Sequence, residues 1–206
     1  MSAPISDQRS GFRDSPFNYG GHVVAPPVRL TPEWLLLTRE VEEHLYFEAD
    51  LLDQWNYRDW LNLTTSDIRY WAPLRRNVSY GNWDREQSRQ DGELAWFDDN
   101  RATLEMRVRQ IESGVHWAEE PVSRVCHVIG GVRIIAATPD AANCTEVTVR
   151  SRFIVYRNHQ DDEENLYIGK REDVLRRAED GGWRLARRSI LIDQSTMLTP
   201  TLTILL

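Results

Sequence analysis

The sequence predicts an α+β fold: N-terminal helices packed on the concave face of a curved antiparallel sheet, together making a cone. Three observations lead there. Helical periodicity is confined to the first half of the chain, period-two alternation takes over from Arg124, and the strand-like runs that follow are joined by short turns. Runs of helices and then runs of strands make a meander, not the regular alternation of a parallel α/β fold. A long twisted sheet curls, and its hollow face needs an apolar cover. With 206 residues, 41% of them hydrophobic, the chain can build one sizeable core.

Residues 1–30 hold Pro4, Pro16, Pro26 and Pro27 with Gly11, Gly20 and Gly21, and little periodicity. They read as an arm that orders, if at all, on a partner; residues 31–206 read as a single α+β cone domain. A helix then opens cleanly, with Thr31 as cap, Pro32 in the first helical position and Glu33 at the positive helix end. Trp34, Leu37, Val41, Leu45, Glu48, Leu52 and Trp55 recur three or four apart, an apolar stripe broken only by Glu48. Asn56 can cap a shorter helix presenting Tyr57, Trp60, Leu61 and Leu63.

"DIRYWAPLRRN" (67–77) alternates as a strand, with Ile68, Tyr70 and Ala72 on one face and Pro73 suited to a strand end or a sheet edge. Residues 78–97 read as a long polar loop, and Asp98 or Asp99 as the cap of a third helix with the stripe Leu104, Val108 and Ile111. "RVCHVIGGVRIIAAT" is a long strand that Gly130-Gly131 bulges or bends. "CTEVTVRSRFIVYRN" puts Val147, Val149, Ser151, Phe153 and Val155 on one face; "LYIGKREDVLRR" and "WRLARRSILID" follow, the last two joined by a hairpin at "EDGG".

The formal net charge is −7, with arginines interleaved among acids. A duplex binder needs a clustered basic face, so nucleic acid is excluded as a partner class. No apolar run approaches the roughly 20 residues that span a bilayer, and "MSAPISDQRSGFRDS" lacks the basic-then-apolar order of a secretory signal. The expected location is cytoplasmic. Cys126 and Cys144, the two cysteines, make no disulfide framework and read as buried, inert thiols.

Catalytic patterns are scarce. There is no phosphate-cradling GxGxxG or GxxxxGK[ST] and no GxSxG elbow, and two cysteines cannot supply a four-thiolate cluster. His22, His44, His116, His127 and His159 form no close pair on one element, so no metal site is expected in this chain. Asp53, Tyr57 and His127 could face one interior and act as general acid and base. Each also has an ordinary structural role: Asp53 at a helix end, Tyr57 as an amphipathic wall, His127 as a hydrogen-bonded strand residue.

Six segments in order carry a resemblance: "LLDQWNYRDWLNL", "DIRYWAPLRRN", "WAEEPVSRVCHVIGGV", "FIVYRN", "GKREDVLRR" and "RRSILIDQSTML". Together they resemble the small, or β, subunit of bacterial aromatic-ring-hydroxylating (Rieske-type) dioxygenases, nearest the biphenyl/toluene-type branch, from about Leu35 onward. The resemblance implies the nuclear transport factor 2-like, cystatin-like form of the cone, and a non-catalytic structural subunit with no catalytic, cofactor-binding or metal residue of its own. It also implies a large (α) partner that carries the Rieske [2Fe-2S] cluster and the mononuclear non-heme iron. Further implications are a trimer of this chain within an α3β3 hexamer and electron supply from NAD(P)H through reductase and ferredoxin carriers. A stand-alone cone-fold isomerase or dehydratase acting on a small ring compound is the alternative.

On the subunit reading, residue types enriched at interface centres become contact candidates: Arg75, Arg76, Trp117 and Arg124. "GKREDVLRR" adds Lys170, Arg171, Glu172 and Asp173. Lys170, Glu172, Val174 and Arg176 share one strand face and Arg171, Asp173 and Leu175 the other, so one face is expected on the helices and the other at a neighbouring subunit. The apolar "TPTLTILL" is expected to pack rather than hang free.

Overall fold

The computed structural model describes residues 30–90, 92–113, 122–160, 163–195 and 204–206. The proposed arm (1–30) therefore lies outside the described residues except for Leu30, and Trp117 lies outside them too. Three helices, α1 (Pro32–Asp53), α2 (Tyr57–Asn62) and α3 (Arg101–Glu112), accompany six strands. These are β1 (Thr64–Pro73), β2 (Ala95–Asn100), β3 (Arg124–Thr138), β4 (Glu146–His159), β5 (Glu163–Arg177) and β6 (Trp183–Ile192). They form one sheet in the order β2-β1-β6-β5-β4-β3.

The expected four-strand meander is its larger part: β3, β4, β5 and β6 pair antiparallel in sequence. β1 then adds to β6 in parallel and β2 to β1 antiparallel. Pro73 accordingly does not mark a sheet edge, because β1 lies between two strands; it sits at the strand end, where the register with β2 shifts. The stretch read as one polar loop contains a single 3-10 turn, Trp83–Arg85, and enters β2 at Ala95.

Helix starts follow local chemistry. Thr31 Oγ1 accepts from the Trp34 amide at 3.4 Å, and Pro32 occupies the first helical position. The cap of α3 is Asn100, not Asp98 or Asp99: its Oδ1 accepts from the Thr103 amide at 3.0 Å while both aspartates remain in β2. Such a cap contributes about 1 kcal/mol. The end of α1 departs from the periodic stripe. Trp55 has φ +57°, which turns the chain out of the helix and leaves its ring about half exposed, with Nε1 donating to the Ser123 carbonyl at 3.2 Å.

Leu37, Val41, Leu45 and Leu52 of α1 and Trp60 of α2 are buried against inward residues of the sheet: Ile68, Tyr70, Val147, Val149, Phe153, Val155 and Leu175. Leu104 and Val108 of α3 join them. The bend expected at Gly130-Gly131 is present as a register shift between Gly130 and Arg133, with Gly131 at φ +60°. Gly181, at φ +80°, makes the β5–β6 hairpin.

Gly169 is the most closely packed of the described glycines. A Cβ there would collide with the Leu191 carbonyl oxygen and come within 2.7 Å of Phe153 Cζ. Replacing Gly169 by alanine is expected to cost about 2 kcal/mol through overpacking and to lower Tm by about 5 °C, read by calorimetry. An unchanged Tm would show that the sheet yields at this point.

Candidate subunit interface and closed interior

The strand pleat sends alternate residues of "GKREDVLRR" to opposite sides. Arg171, Asp173 and Leu175 point into the cone and are buried, at 1%, 0% and 0% exposure. This corrects the assignment of Arg171 and Asp173 to a contact surface. Both side chains belong to the interior, and only Lys170 and Glu172 of the four face outward.

Inside, cross-strand register sets Tyr70 of β1 beside Arg188 of β6, and Arg188 beside Asp173 of β5. From above, α1 lowers Glu48, the one polar member of its stripe. The Arg188 guanidinium holds both carboxylates as a fork: Nη1 and Nη2 donate to Glu48 at 2.7 Å each, and Nε and Nη2 donate to Asp173 at 2.8 and 2.9 Å. Trp60 Nε1 donates to Glu48 Oε1 at 3.0 Å, and Arg171 Nη1 stands 4.0 Å from Glu48 Oε2. Two acids and two guanidiniums thus cancel in formal charge.

Burial by itself would raise the Glu48 carboxyl; the charges of Arg188 and Arg171 and the bonds from Arg188 and Trp60 overcome it and hold Glu48 at about 2, from 4.5. Burial pulls Arg188 down, but Asp173 and Glu48 push it well above its ordinary value. Arg171 moves the other way: burial first and Arg188 second lower it. Burial also raises the Tyr70 hydroxyl to about 12, so it stays protonated and able to donate.

Of the three acid–base candidates, two meet. His127 Nδ1 and Asp53 Oδ1 are 2.6 Å apart, and the His127 amide donates to the same carboxylate at 3.0 and 3.1 Å. Tyr57 packs in the core. The remaining ring nitrogen, Nε2, lies 2.9 Å from the Leu205 carbonyl oxygen, so a backbone group occupies the position a substrate would need. Ile204, Leu205 and Leu206 are buried inside the cone, as expected of the apolar "TPTLTILL" for its described part.

On the outside, the two halves of the sheet differ. Trp71, Ser189 and Leu191 face outward yet are buried, and nearby the chain after β1 folds back, with Arg75 bridging Glu86 and Asp193 at 2.7 and 2.6 Å. Arg75 is therefore engaged within its own chain; Arg76 pairs with Glu93 at 3.2 Å and stays half exposed, and Arg124 is exposed at the start of β3. Lys170 pairs with Asp193 and Glu172 with Arg150, each at 2.8 Å.

Across β3, β4 and β5 the outer face carries an exposed apolar patch two rows deep, with charged rows beside it. Val128, Ile154 and Ile168 stand side by side in one cross-strand row, and Cys126, Tyr156 and Leu166 fill the next. All six are exposed, Val128 at 55% and Leu166 at 47%. Cys126 is thus a surface thiol, contrary to the reading of both cysteines as buried; Cys144 is buried. The patch escaped the sequence reading, which followed the charged residues, although alternation in "CHVIG", "FIVYRN" and "NLYIG" puts an apolar residue outward at every second position.

Among the described residues no group of three or more His, Cys, Asp or Glu is placed to hold a metal ion, and no helix is long and apolar enough to cross a membrane.

Fold and surface together define an α+β cone whose own hollow is filled and whose outer sheet face is open over β3, β4 and β5. The chain belongs to the ring-hydroxylating β-subunit family, whose sequence profile matches residues 47–199. It is 40% identical over 167 residues to the β subunit of biphenyl 2,3-dioxygenase from Rhodococcus jostii, covering 81% of this chain and 87% of that protein. A solved naphthalene 1,2-dioxygenase, with indole in its active site, shares the fold at TM-score 0.72 and 23% identity, over 84% of this chain and 86% of the other. An NTF2-like protein with a cystatin-like fold from Novosphingobium aromaticivorans aligns at TM-score 0.51 and 16% identity, over 79% and 85%. The protein is thus the β subunit of a ring-hydroxylating dioxygenase and acts as part of an oxygenase complex.

Replacing Glu48 by glutamine removes one charge and leaves the other three buried and unbalanced, which costs about 3–5 kcal/mol. A fall in Tm of roughly 10 °C is expected by calorimetry; a fall under 2 °C would show that the network contributes little. The native fold holds Glu48 below its unfolded value. Its contribution, on the order of 3 kcal/mol, is therefore fully present above about pH 4.5 and is lost as pH falls from there through about 2. Urea titrations from pH 6 down to 2 should show that loss in the native protein and a weaker dependence in Glu48→Gln.

Proposed function

We propose that this chain is the structural subunit of a Rieske-type oxygenase and performs no chemistry itself. Its large partner carries the [2Fe-2S] cluster and the mononuclear iron and adds both atoms of O2 to an aromatic hydrocarbon, giving a cis-dihydrodiol. Similarity to the biphenyl dioxygenase subunit supports a biphenyl- or toluene-type substrate. Electrons come from NAD(P)H through reductase and ferredoxin. Three copies of this chain form the base of an α3β3 hexamer, in the cytoplasm. Among the described residues Cys126 is exposed and Cys144 buried, His127 is held between Asp53 and Leu205, His159 faces Glu163 at 3.1 Å and His44 lies on α1, and they form no cluster of metal donors.

The observation that carries this reading is the exposed double row on β3, β4 and β5. Five large apolar side chains standing together in water cost solvation that a partner surface relieves, and a contiguous patch of this kind marks a contact site. Charged residues at its margin, Arg124, Lys170 and Glu172, set partner choice more than affinity, and Arg76 extends the contact. The isomerase or dehydratase alternative requires an open nitrogen on His127, and Leu205 fills that position.

Placing a charge in the row tests the reading. Ile154→Glu leaves the inward residues of β4 untouched, so the circular dichroism spectrum and Tm of the isolated chain stay near wild type. Native mass spectrometry after co-expression with the large-subunit gene is expected to show the hexamer for wild type and at least a tenfold loss of assembled species for the variant. Full assembly of the variant would move the contact elsewhere on the surface.

A further inference from the structure

Residues 204–206 differ from the rest of the core in how they are held. No β-ladder takes them in; side chains that are themselves buried grip their backbone. His127 Nε2 faces the Leu205 carbonyl oxygen at 2.9 Å. The Leu206 amide donates to the Tyr70 hydroxyl at 2.7 Å, that hydroxyl donates back to the Leu206 main-chain oxygen, and Arg188 Nη1 reaches the same oxygen at 3.3 Å. The His127 side chain is 2% exposed, and Tyr70 and Arg188 are both at 0%. Each of the three is fixed from behind: His127 by Asp53, Arg188 by Glu48 and Asp173, and Tyr70 by edge-on contacts with the rings of Trp60 and Phe97.

Fixed polar groups converging within apolar walls are the anatomy of a small-molecule site, and here the molecule in it is a piece of the chain. A second observation points the same way. Arg171, buried at 1% and close enough to Tyr70 for their charges to interact, has Nε and Nη2 without an acceptor among the described residues. Ser151, its cross-strand neighbour, has its Oγ likewise unpaired among them. Buried donors left over are costly, so the wall offers more hydrogen bonds than residues 204–206 accept.

We infer that the cone interior is a ligand-binding site, with residues 204–206 seated in it as a tethered occupant. The occupant defines the ligand chemistry: a compact aliphatic molecule carrying two acceptor oxygens, one for His127 and one shared by Tyr70 and Arg188. The second acceptor meets one hydroxyl and one guanidinium, a pairing that takes a carbonyl or a carboxylate oxygen alike. Removing the segment opens the site. This is separate from the outer apolar patch, and the two stand or fall independently.

The test uses the chain lacking residues 204–206 and, as probe, the peptide N-acetyl-Ile-Leu-Leu, both as the amide and as the free acid. Calorimetric titration is expected to show one-to-one binding to the shortened chain and none to the full chain. Tyr70→Phe or His127→Gln in the shortened chain should weaken it at least tenfold. A folded shortened chain that takes up no peptide, or whose affinity ignores both substitutions, overturns the inference and leaves residues 204–206 as ordinary core. Should the shortened chain be unfolded alone, folding on addition of peptide supports the site, and failure to fold at millimolar peptide rejects it.

Discussion

The guanidinium of Arg188 is the constraint around which the rest is arranged. It ties a carboxylate from the first helix to one from the fifth strand, and it lies beside the first strand's Tyr70. Apolar contacts can slide by an ångström at small cost, whereas a two-carboxylate fork cannot, because each of its donors points in a fixed direction. The energetic gain of such a network over apolar packing is small or negative. What it supplies is register: α1 can sit over the sheet at one depth and one rotation only.

From that follows the division of labour between the two faces of the sheet. On the inner face Arg188, Glu48, Asp173, Tyr70 and His127 are engaged with one another or with neighbours and with residues 205 and 206, which fill the hollow. The outer face is covered over β1 and β6 and open over β3, β4 and β5. The same scaffold is shared by a chain only 16% identical, so function must be read from walls and surface.

Much of the fold was legible because it rests on local rules. Thr31-Pro32 announces a helix start, and the two-residue alternation of β4 puts Val147 through Val155 on one face in any strand. β2 escaped because six residues, "AWFDDN", are too few for a period to emerge from a polar stretch. The parallel pairing of β1 with β6 could not be read at all, since nothing local in either strand names its neighbour. The same limit governs the interior. Glu48 stood out as the flaw in an apolar stripe, but Asp173 was one charge in a charged strand and Arg188 drew no notice, because their meeting depends on register across three elements. Asp53, Tyr57 and His127 were named as residues that could face one interior; Asp53 and His127 meet, Tyr57 packs in the core, and the third partner is a backbone carbonyl, to which a sequence reading of side chains is blind.

The parallel pairing also bears on how the molecule is made. β1 joins a strand more than a hundred residues downstream, and Arg188, which settles the depth of α1, arrives with that same strand. Contacts so distant in sequence close slowly because the intervening chain must first be gathered. During synthesis α1, α2 and β1 therefore leave the ribosome long before the strand that completes them, and their apolar stripes wait for it. The hairpins of β3, β4 and β5 form in the meantime and expose their sticky outer rows before the inner face is finished. A partner that docked on those rows too early would hold a half-built cone, so orderly assembly favours a large subunit that meets this chain only after its own folding is done.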